Sequence, residues 1–463
     1  MNPRGTLLRR LLAGALIIVA ILLAVFAFQQ PKSADNGKSM PALSTPLWSA
    51  RRVPQSIVDT VGSQRLQVRL GEISSGVDHC FDVRDAGQVV VVENTPEAFI
   101  PASSLKLLTA AGVLFVLGPD FRYSTRAIAT SEPKNGSVET LFLVGAGDPT
   151  LTTPEGIAAL NGDRTTAGNK TTPLDELAER IVAAGVTSIP GGVVGVDSRY
   201  DSQRFLPQWP SAYRAEVGPI GALVVDSGKV PISKDAGSEK PPALHAATEL
   251  SRLLALRGVA LGSPGTGSAP DSFKSIAGIK SGPMSEILTS FLSSSDNVAG
   301  EMLLKELAMR SGKPGTTVDG VKVLTQRLTE LGIPMGNVTI VDGSGLSREN
   351  KLTCDALVAV LNLANKRRYS TLRDGLAIAG DRGTLAPRLQ GSVLTGKLRA
   401  KTGSLSGVSA LAGQVNVRRP LDFALILNGA FSEQSGLSLR ERMATAIGSF
   451  PDSPPPETLV PSP

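Results

Sequence analysis

Three short strings carry the chemistry of this 463-residue chain: Ser103-Ser104-Leu105-Lys106, Ser295-Asp296-Asn297 and Lys401-Thr402-Gly403. A serine hydroxyl is a weak nucleophile until a nearby base takes its proton, and a lysine amine serves as that base once its pKa is depressed. S-x-x-K, S-D-N and K-T-G in this order describe a serine acyl-transfer site that needs no histidine. Ser103 is the expected nucleophile and Lys106 its base. Ser295 is expected to relay a proton, and Asn297 to offer its amide to a substrate. Lys401 would raise the local positive potential and so lower the pKa of Lys106. Thr402 and Ser404 would hold a carboxylate, and Gly403 would let a ligand backbone approach.

Each string alone has a plain structural explanation. Ser103 can be an N-cap serine with a snorkelling lysine, Ser295-Asp296-Asn297 ordinary turn chemistry, and Lys401 an edge-strand lysine that blocks aggregation. The surrounding elements decide between the readings. Pro101-Ala102 leads into the apolar run Leu105 to Leu114, which ends at Gly118-Pro119, so Ser103 is expected to open a buried helix. Spacing of three then puts Ser103 and Lys106 on one face beside the free N–H groups of the helix N-terminus. Helices are expected over 283–292 and 298–309, with Ser295-Asp296-Asn297 in the turn between them. Lys401-Thr402-Gly403-Ser404 should end a strand from Leu398 and open an antiparallel meander through Val408–Val417 and Phe423–Asn428. Two look-alikes fall away. Ser131-Glu132-Pro133-Lys134 lies in a Pro-Asn-Gly turn, and Lys280-Ser281-Gly282 precedes the S-D-N string.

With all three strings in order, the chain resembles the serine penicillin-recognising enzymes. Within them it resembles the D-alanyl-D-alanine carboxypeptidase/endopeptidase family, the low-molecular-mass class C penicillin-binding proteins of the penicillin-binding protein 4 type. Further segments carry this resemblance: Gly145-Ala146-Gly147-Asp148-Pro149-Thr150-Leu151 is similar to the family's G-G-D-P-x-L. Asp342-Gly343-Ser344-Gly345-Leu346-Ser347-Arg348 is similar to D-G-S-G-L-S-R, and Ala379-Gly380-Asp381-Arg382-Gly383-Thr384-Leu385-Ala386-Pro387-Arg388 to A-G-x-x-G-T-L-x-x-R. The resemblance spans about residues 55–450. It implies an α/β (α+β) peptidase domain, an antiparallel sheet flanked by helices plus an all-helical subdomain, and an acyl-enzyme on Ser103. It implies an oxyanion site between the backbone N–H groups of Ser103 and Ser404, Arg348 as a binder of the distal peptide, and no metal or organic cofactor. The implied substrate is a peptidoglycan stem peptide ending in D-Ala-D-Ala, with β-lactams as covalent inhibitors. Ser344 does not complete a G-x-S-x-G elbow, because position 342 is Asp.

Between Lys106 and Ser295 lie 188 residues, far more than the single helical subdomain a β-lactamase carries there. A β-rich inserted domain is therefore expected over 126–265, splitting the peptidase domain into 55–125 and 266–450. Trp209 and Tyr213 are candidates for a cleft wall, with core or loop packing as the plainer expectation. A β-lactamase is the first rival, opposed by this insertion and by the lack of an evident deacylating glutamate segment. A non-catalytic penicillin-binding or wall-binding module is the second, and a sensor of that kind needs a cytoplasmic signalling domain where only ten residues precede Leu11.

Arg4, Arg9 and Arg10 precede Leu11–Phe28, eighteen residues without a charge. This reads as a signal anchor or signal peptide over 1–30, placing the rest of the chain outside the cytoplasm and, if uncleaved, holding it to the cytoplasmic membrane. Residues 31–55 read as a linker and 451–463, with six prolines, as a disordered tail. The net charge is +6, of which three charges belong to the anchor arginines, and aromatics make up 4% of the chain. That excludes a basic, base-stacking nucleic-acid surface. Two histidines (His79, His245) and two cysteines (Cys80, Cys354) offer neither a Ser–His–Asp triad nor zinc-ligand spacing. In an oxidising compartment the cysteines can form a disulfide, though sequence does not fix their distance.

Overall fold

A computed structural model describes residues 55–215, 217–228 and 241–452. The expected anchor, nearly all of the linker and the tail beyond Asp452 lie outside the described residues. Among the described residues no helix is long and apolar enough to cross a membrane.

The described chain begins with helix Gln55–Ile73 (α1) and the hairpin Asp78–Asp85 (β1) and Gln88–Glu93 (β2). A 3-10 turn, Ala102–Leu105, runs into helix Lys106–Val116 (α2). Strands Ser124–Ala129 (β3) and Leu141–Val144 (β4), helix Leu174–Ala183 (α3), strand Val193–Val196 (β5), helix Pro242–Ala255 (α4) and strands Gly265–Thr266 (β6) and Lys274–Lys280 (β7) follow. Helices Met284–Ser294 (α5), Asn297–Arg310 (α6), Thr317–Glu330 (α7) and Cys354–Leu363 (α8) come next. The chain then returns to strands with Ala377–Ile378 (β8), Leu398–Leu405 (β9), Val408–Asn416 (β10) and Pro420–Asn428 (β11), and helix Glu433–Ser449 (α9) follows.

The main sheet has the order β8-β9-β10-β11-β1-β2 and is antiparallel throughout. Its strands alternate side chains between two cores, as a period of two requires. Ala410, Ala412, Ala424 and Ile426 face α2, α5, α6, α7 and α8, while Leu411, Phe423, Leu425 and Leu427 face α1 and α9. Small residues on the α2 side let that helix approach closely, and every residue from Lys106 to Leu114 is buried. The disulfide Cys80–Cys354 spans 274 residues of sequence and ties β1 to the first residue of α8.

A second sheet, of order β6-β5-β4-β3-β7, draws on residues 124–280. Its β5 pairs in parallel with both β6 and β4, whereas β4, β3 and β7 are antiparallel. Leu141, Leu143 and Val193 pack there against Leu177 and Ile181 of α3 and Leu250 and Leu254 of α4, a core separate from those of the main sheet. Trp209 is mostly packed: it is 8% exposed and its Nε1 donates to Asp342 Oδ2 at 3.0 Å, while its remaining edge borders a pocket with Phe205, Leu206 and Pro210, and Tyr213 packs at the edge of the same cluster. Burying an indole beside a carboxylate satisfies its single donor, which is why packing prevails.

Candidate active site

Lys106 is fully buried, and each hydrogen-bonding direction of its amine is committed. Its Nζ lies 2.9 Å from Ser103 Oγ, 2.7 Å from Asn297 Oδ1 and 2.6 Å from the carbonyl oxygen of Ser344. The last two partners are carbonyl oxygens, which only accept. They therefore take two N–H groups in either protonation state, and the third position faces Ser103. A charged Lys106 donates there. A neutral one presents its lone pair to the Ser103 proton, which is the arrangement of a nucleophile and its base.

Burial pushes the Lys106 amine down to about 8, opposed by the negative charge of Asp342, Glu301 and Asp296. The sequence expectation that Lys401 depresses Lys106 is corrected here. Lys401 is itself fully buried and pushed well below the usual lysine range, by burial first and then by Lys106 and Arg440. Burial is thus the leading cause at Lys106, and Lys401 is not among the groups that shift it. The Lys401 Nζ donates to the carbonyl oxygen of Thr402 at 2.8 Å.

The elements behind these atoms explain the spacing. Ser103 lies on the 3-10 turn, not on the α-helix expected from sequence, and Lys106 is the first residue of α2. Ala102, buried just before Ser103, adopts φ 47°, a left-handed conformation costly for alanine and found where packing over-determines the backbone. At the junction of α5 and α6, Ser295 adopts φ 64° as the C-cap of α5, and Asp296 caps α6 by accepting from Ala299 N at 2.9 Å. Asn297 is thereby the first residue of α6. Ser295 lies in the same junction, but it makes no hydrogen bond to Ser103, Lys106 or Lys401.

Strand β9 runs from Leu398 to Leu405, one residue beyond the expected end at Ser404. Its neighbour β8 pairs only with Ala400 and Arg399, so from Lys401 onward the strand's other edge meets the Ala102–Leu105 turn. A Cβ on Gly403 would lie 2.6 Å from the Pro101 carbonyl oxygen, so glycine alone permits this approach of nucleophile turn and strand. Thr402 Oγ1 shares a hydrogen bond with Thr384 Oγ1 at 2.9 Å. Ser404 Oγ accepts from Arg440 Nη1 at 2.9 Å. Arg348 is exposed, and its Nη1 donates to the Ser406 carbonyl oxygen at 2.8 Å.

Several residues at the site escaped the sequence reading. Glu301, one helical turn after Asn297 on α6, accepts from Gly343 N at 3.0 Å and Ser344 N at 2.8 Å. Asp342 accepts from Gly345 N, Ser347 N and Asn350 Nδ2, at 2.7 to 2.9 Å. Together these two carboxyl groups fix the loop that offers the Ser344 carbonyl oxygen to Lys106. Burial pushes the Glu301 carboxyl up to about 8, reinforced by the charge of Asp342. A Cβ on Gly343 would lie 2.3 Å from the Gly300 carbonyl oxygen, so the loop can press on α6 only as glycine. The i+4 spacing from Asn297 was a usable signal for Glu301. Thr384 and Asp342 lay in segments noted for resemblance alone, and Arg440 carried no signal. Among the described residues no group of three His, Cys, Asp or Glu side chains is placed to hold a metal ion.

Comparison with known proteins sets this geometry in a lineage. The fold matches that of penicillin-binding protein 4 from Haemophilus influenzae with a TM-score of 0.67 at 22% identity, covering 82% of this chain and 97% of that one. A carboxypeptidase of Mycobacterium tuberculosis is 34% identical over 360 residues, 75% of each chain. A D-alanyl-D-alanine carboxypeptidase of an Actinomadura species (strain R39) is 29% identical over 80% of this chain and 81% of its own. The carboxypeptidase DacB of Mycolicibacterium smegmatis is 31% identical over 86% and 85%. The sequence profile of the D-Ala-D-Ala carboxypeptidase 3 (S13) family matches residues 80–248 and 238–448, and the chain belongs to that family.

Proposed function

We propose that this protein removes the terminal D-alanine from peptidoglycan stem peptides through an acyl-enzyme on Ser103. One observation carries the assignment: the Lys106 amine has two of its directions taken by carbonyl oxygens and the third facing Ser103 Oγ. Neutral Lys106 takes the Ser103 proton as Oγ attacks the carbonyl carbon of the penultimate D-alanine. The oxyanion that forms is held by the backbone N–H groups of Ser103 and Ser404. The C–N bond then breaks, and the proton reaches the departing D-alanine amine by way of Ser295 and Lys401. Asn297, whose Oδ1 accepts from Lys106, has its Nδ2 left to donate to a substrate carbonyl. Thr402 and Ser404 bind the terminal carboxylate, Gly403 admits the peptide backbone, and Arg348 meets the distal stem. Water attacks the ester, frees the shortened peptide and returns the proton to Ser103. A β-lactam follows the same first step and remains attached to Ser103. Cross-linked stem peptides present the same D-alanyl bond, so DD-endopeptidase action falls within the same chemistry.

The N-terminal segment, with Arg4, Arg9 and Arg10 before Leu11–Phe28, is assigned to the cytoplasmic membrane, with the enzyme on its outer side. Support for that compartment comes from the Cys80–Cys354 disulfide, which persists where the medium is oxidising. A role in cell-wall turnover, and through it in cell shape, follows from the substrate. We also assign an inserted domain, expected over 126–265 and carried to 124–280 by the span of the second sheet and its separate core, with the flanking residues 55–123 and 281–450 forming the peptidase domain. The activity is tested by release of D-alanine from a peptide ending in D-Ala-D-Ala. Wild type is expected to release it, and Lys106→Ala to fall by about 10²- to 10⁴-fold, the usual worth of a general base. Equal rates in the two proteins would remove Lys106 from the reaction. For location, membrane and soluble fractions of producing cells are probed for the protein. Recovery in the membrane pellet is expected, and loss of that recovery on deletion of residues 1–30.

A further inference from the structure

Arg440 is a buried cation that forms no ion pair among the described residues, with Glu441 and Glu433 acting on it only from beyond contact. It lies on α9 with 3% of its surface exposed, and its Nη1 donates to the Gly403 carbonyl oxygen at 3.1 Å and to Ser404 Oγ at 2.9 Å. Its Nε has no hydrogen-bond partner. The adjoining carboxylate, Glu441, is held by Arg388 at 2.6 Å. Among the described residues, no carboxylate lies within ion-pair distance of the Arg440 guanidinium. Glu301 and Asp342 act on Lys106, whereas the buried Lys401 is shifted by burial, Lys106 and Arg440 and by no carboxylate, so this side of the site is rich in buried cations. Taking a guanidinium out of water is costly unless an opposite charge compensates, so an unpaired one at the edge of a binding site marks where an anion arrives.

The direction of one hydrogen bond says how it is received. A guanidinium has donors only, so Ser404 Oγ must accept from Arg440 and its own proton is left to point elsewhere. A serine held in that way is a fixed donor. We propose that Arg440 is a specificity-determining positioning residue that locks Ser404 as a donor and whose missing counter-ion is the C-terminal carboxylate of the substrate. This inference rests on the proposed assignment of Ser404 to that carboxylate. It makes the cleft selective for ligands with a free carboxylate, a preference that Thr402 and Ser404 hydroxyls alone would share with neutral amides and esters. A purely structural Arg440, gluing α9 to β9, would instead affect all ligands equally.

The test uses the full-length chain with benzylpenicillin and its methyl ester, following acylation of Ser103 by intact-protein mass spectrometry. Wild type is expected to react faster with the acid than with the ester. In Arg440→Gln the acid should slow by about ten- to a hundredfold, the worth of a charge-assisted hydrogen bond, while the ester stays within about twofold. Arg440→Lys, which keeps the charge, should keep most of the discrimination and guards against a glutamine variant that does not fold. Thermal melting of each variant is recorded alongside. Acid and ester slowing together in a folded variant, or neither slowing, would overturn the inference while leaving Ser103 chemistry intact. A wild-type protein that takes neither compound would overturn the functional reading as well.

Discussion

At the scale of single residues, the site turns on one amine whose protonation sets its role. Lys106 must be neutral to accept the Ser103 proton, and burial brings its pKa to about 8. Below that value the amine is charged, so the acylation rate should rise by about tenfold per pH unit toward pH 8 and level off above it. The rate of penicillin labelling measured from pH 6 to 10 checks this, and a rate flat across that range would contradict it. Glu301 titrates in the same region, so the observed step belongs to the cluster as a whole. Replacing Glu301 by Gln removes a negative charge that holds Lys106 up. The midpoint should then move to lower pH, while the loosened Ser344 carbonyl lowers the plateau rate. The motif residues were legible because their chemistry is fixed by type and close spacing. Arg440 was not legible, since its partners belong to a strand 36 or 37 residues earlier and no local pattern announces it.

At the scale of elements, the catalytic geometry depends on how helices and strands begin and end. Asp296 caps α6 and also accepts from Ser227 Oγ at 2.6 Å, so one carboxylate fixes both the helix start and a loop from the second sheet's region. Asp296→Ala should cost about 1 kcal/mol, the usual worth of an N-cap, seen in denaturant unfolding. It should also slow acylation, because Asn297 follows the cap directly. The Cys80–Cys354 disulfide closes a loop of 274 residues, and replacing both cysteines by alanine should cost about 2–5 kcal/mol in the same measurement. Hydrophobic periodicity foretold α5, α6, β9 and β10 to within two residues, while β11 begins at Pro420, three residues before the expected Phe423. Periodicity does not encode the 3-10 turn at Ala102–Leu105 or the left-handed Ala102 and Ser295, which arise because packing of the nucleophile turn against β9 and of α5 against α6 overrides local preference.

At the scale of the whole molecule, the two sheets have separate cores, and buried charge joins the second sheet's region to the helices of the first. Glu306 of α6 is fully buried and accepts from Arg199 at 2.8 and 2.9 Å, from Tyr200 at 3.0 Å and from Arg310 at 2.7 Å. Glu306→Gln takes the charge-assisted acceptor from a half-buried Arg199 and an exposed Arg310 and should cost about 1.5–3 kcal/mol in thermal or denaturant unfolding. The 188 residues between Lys106 and Ser295 announced that extra structure was present. They did not announce its mixed sheet, because strands as short as Gly265–Thr266 leave no periodic trace. The central claim is that Ser103 is the atom acylated. Intact-protein mass spectrometry after incubation with benzylpenicillin tests it most directly, with Ser103→Ala measured beside wild type. The account predicts a mass increase equal to one penicillin in wild type and none in Ser103→Ala. An equal increase in the alanine variant, or none in folded wild type, would contradict it.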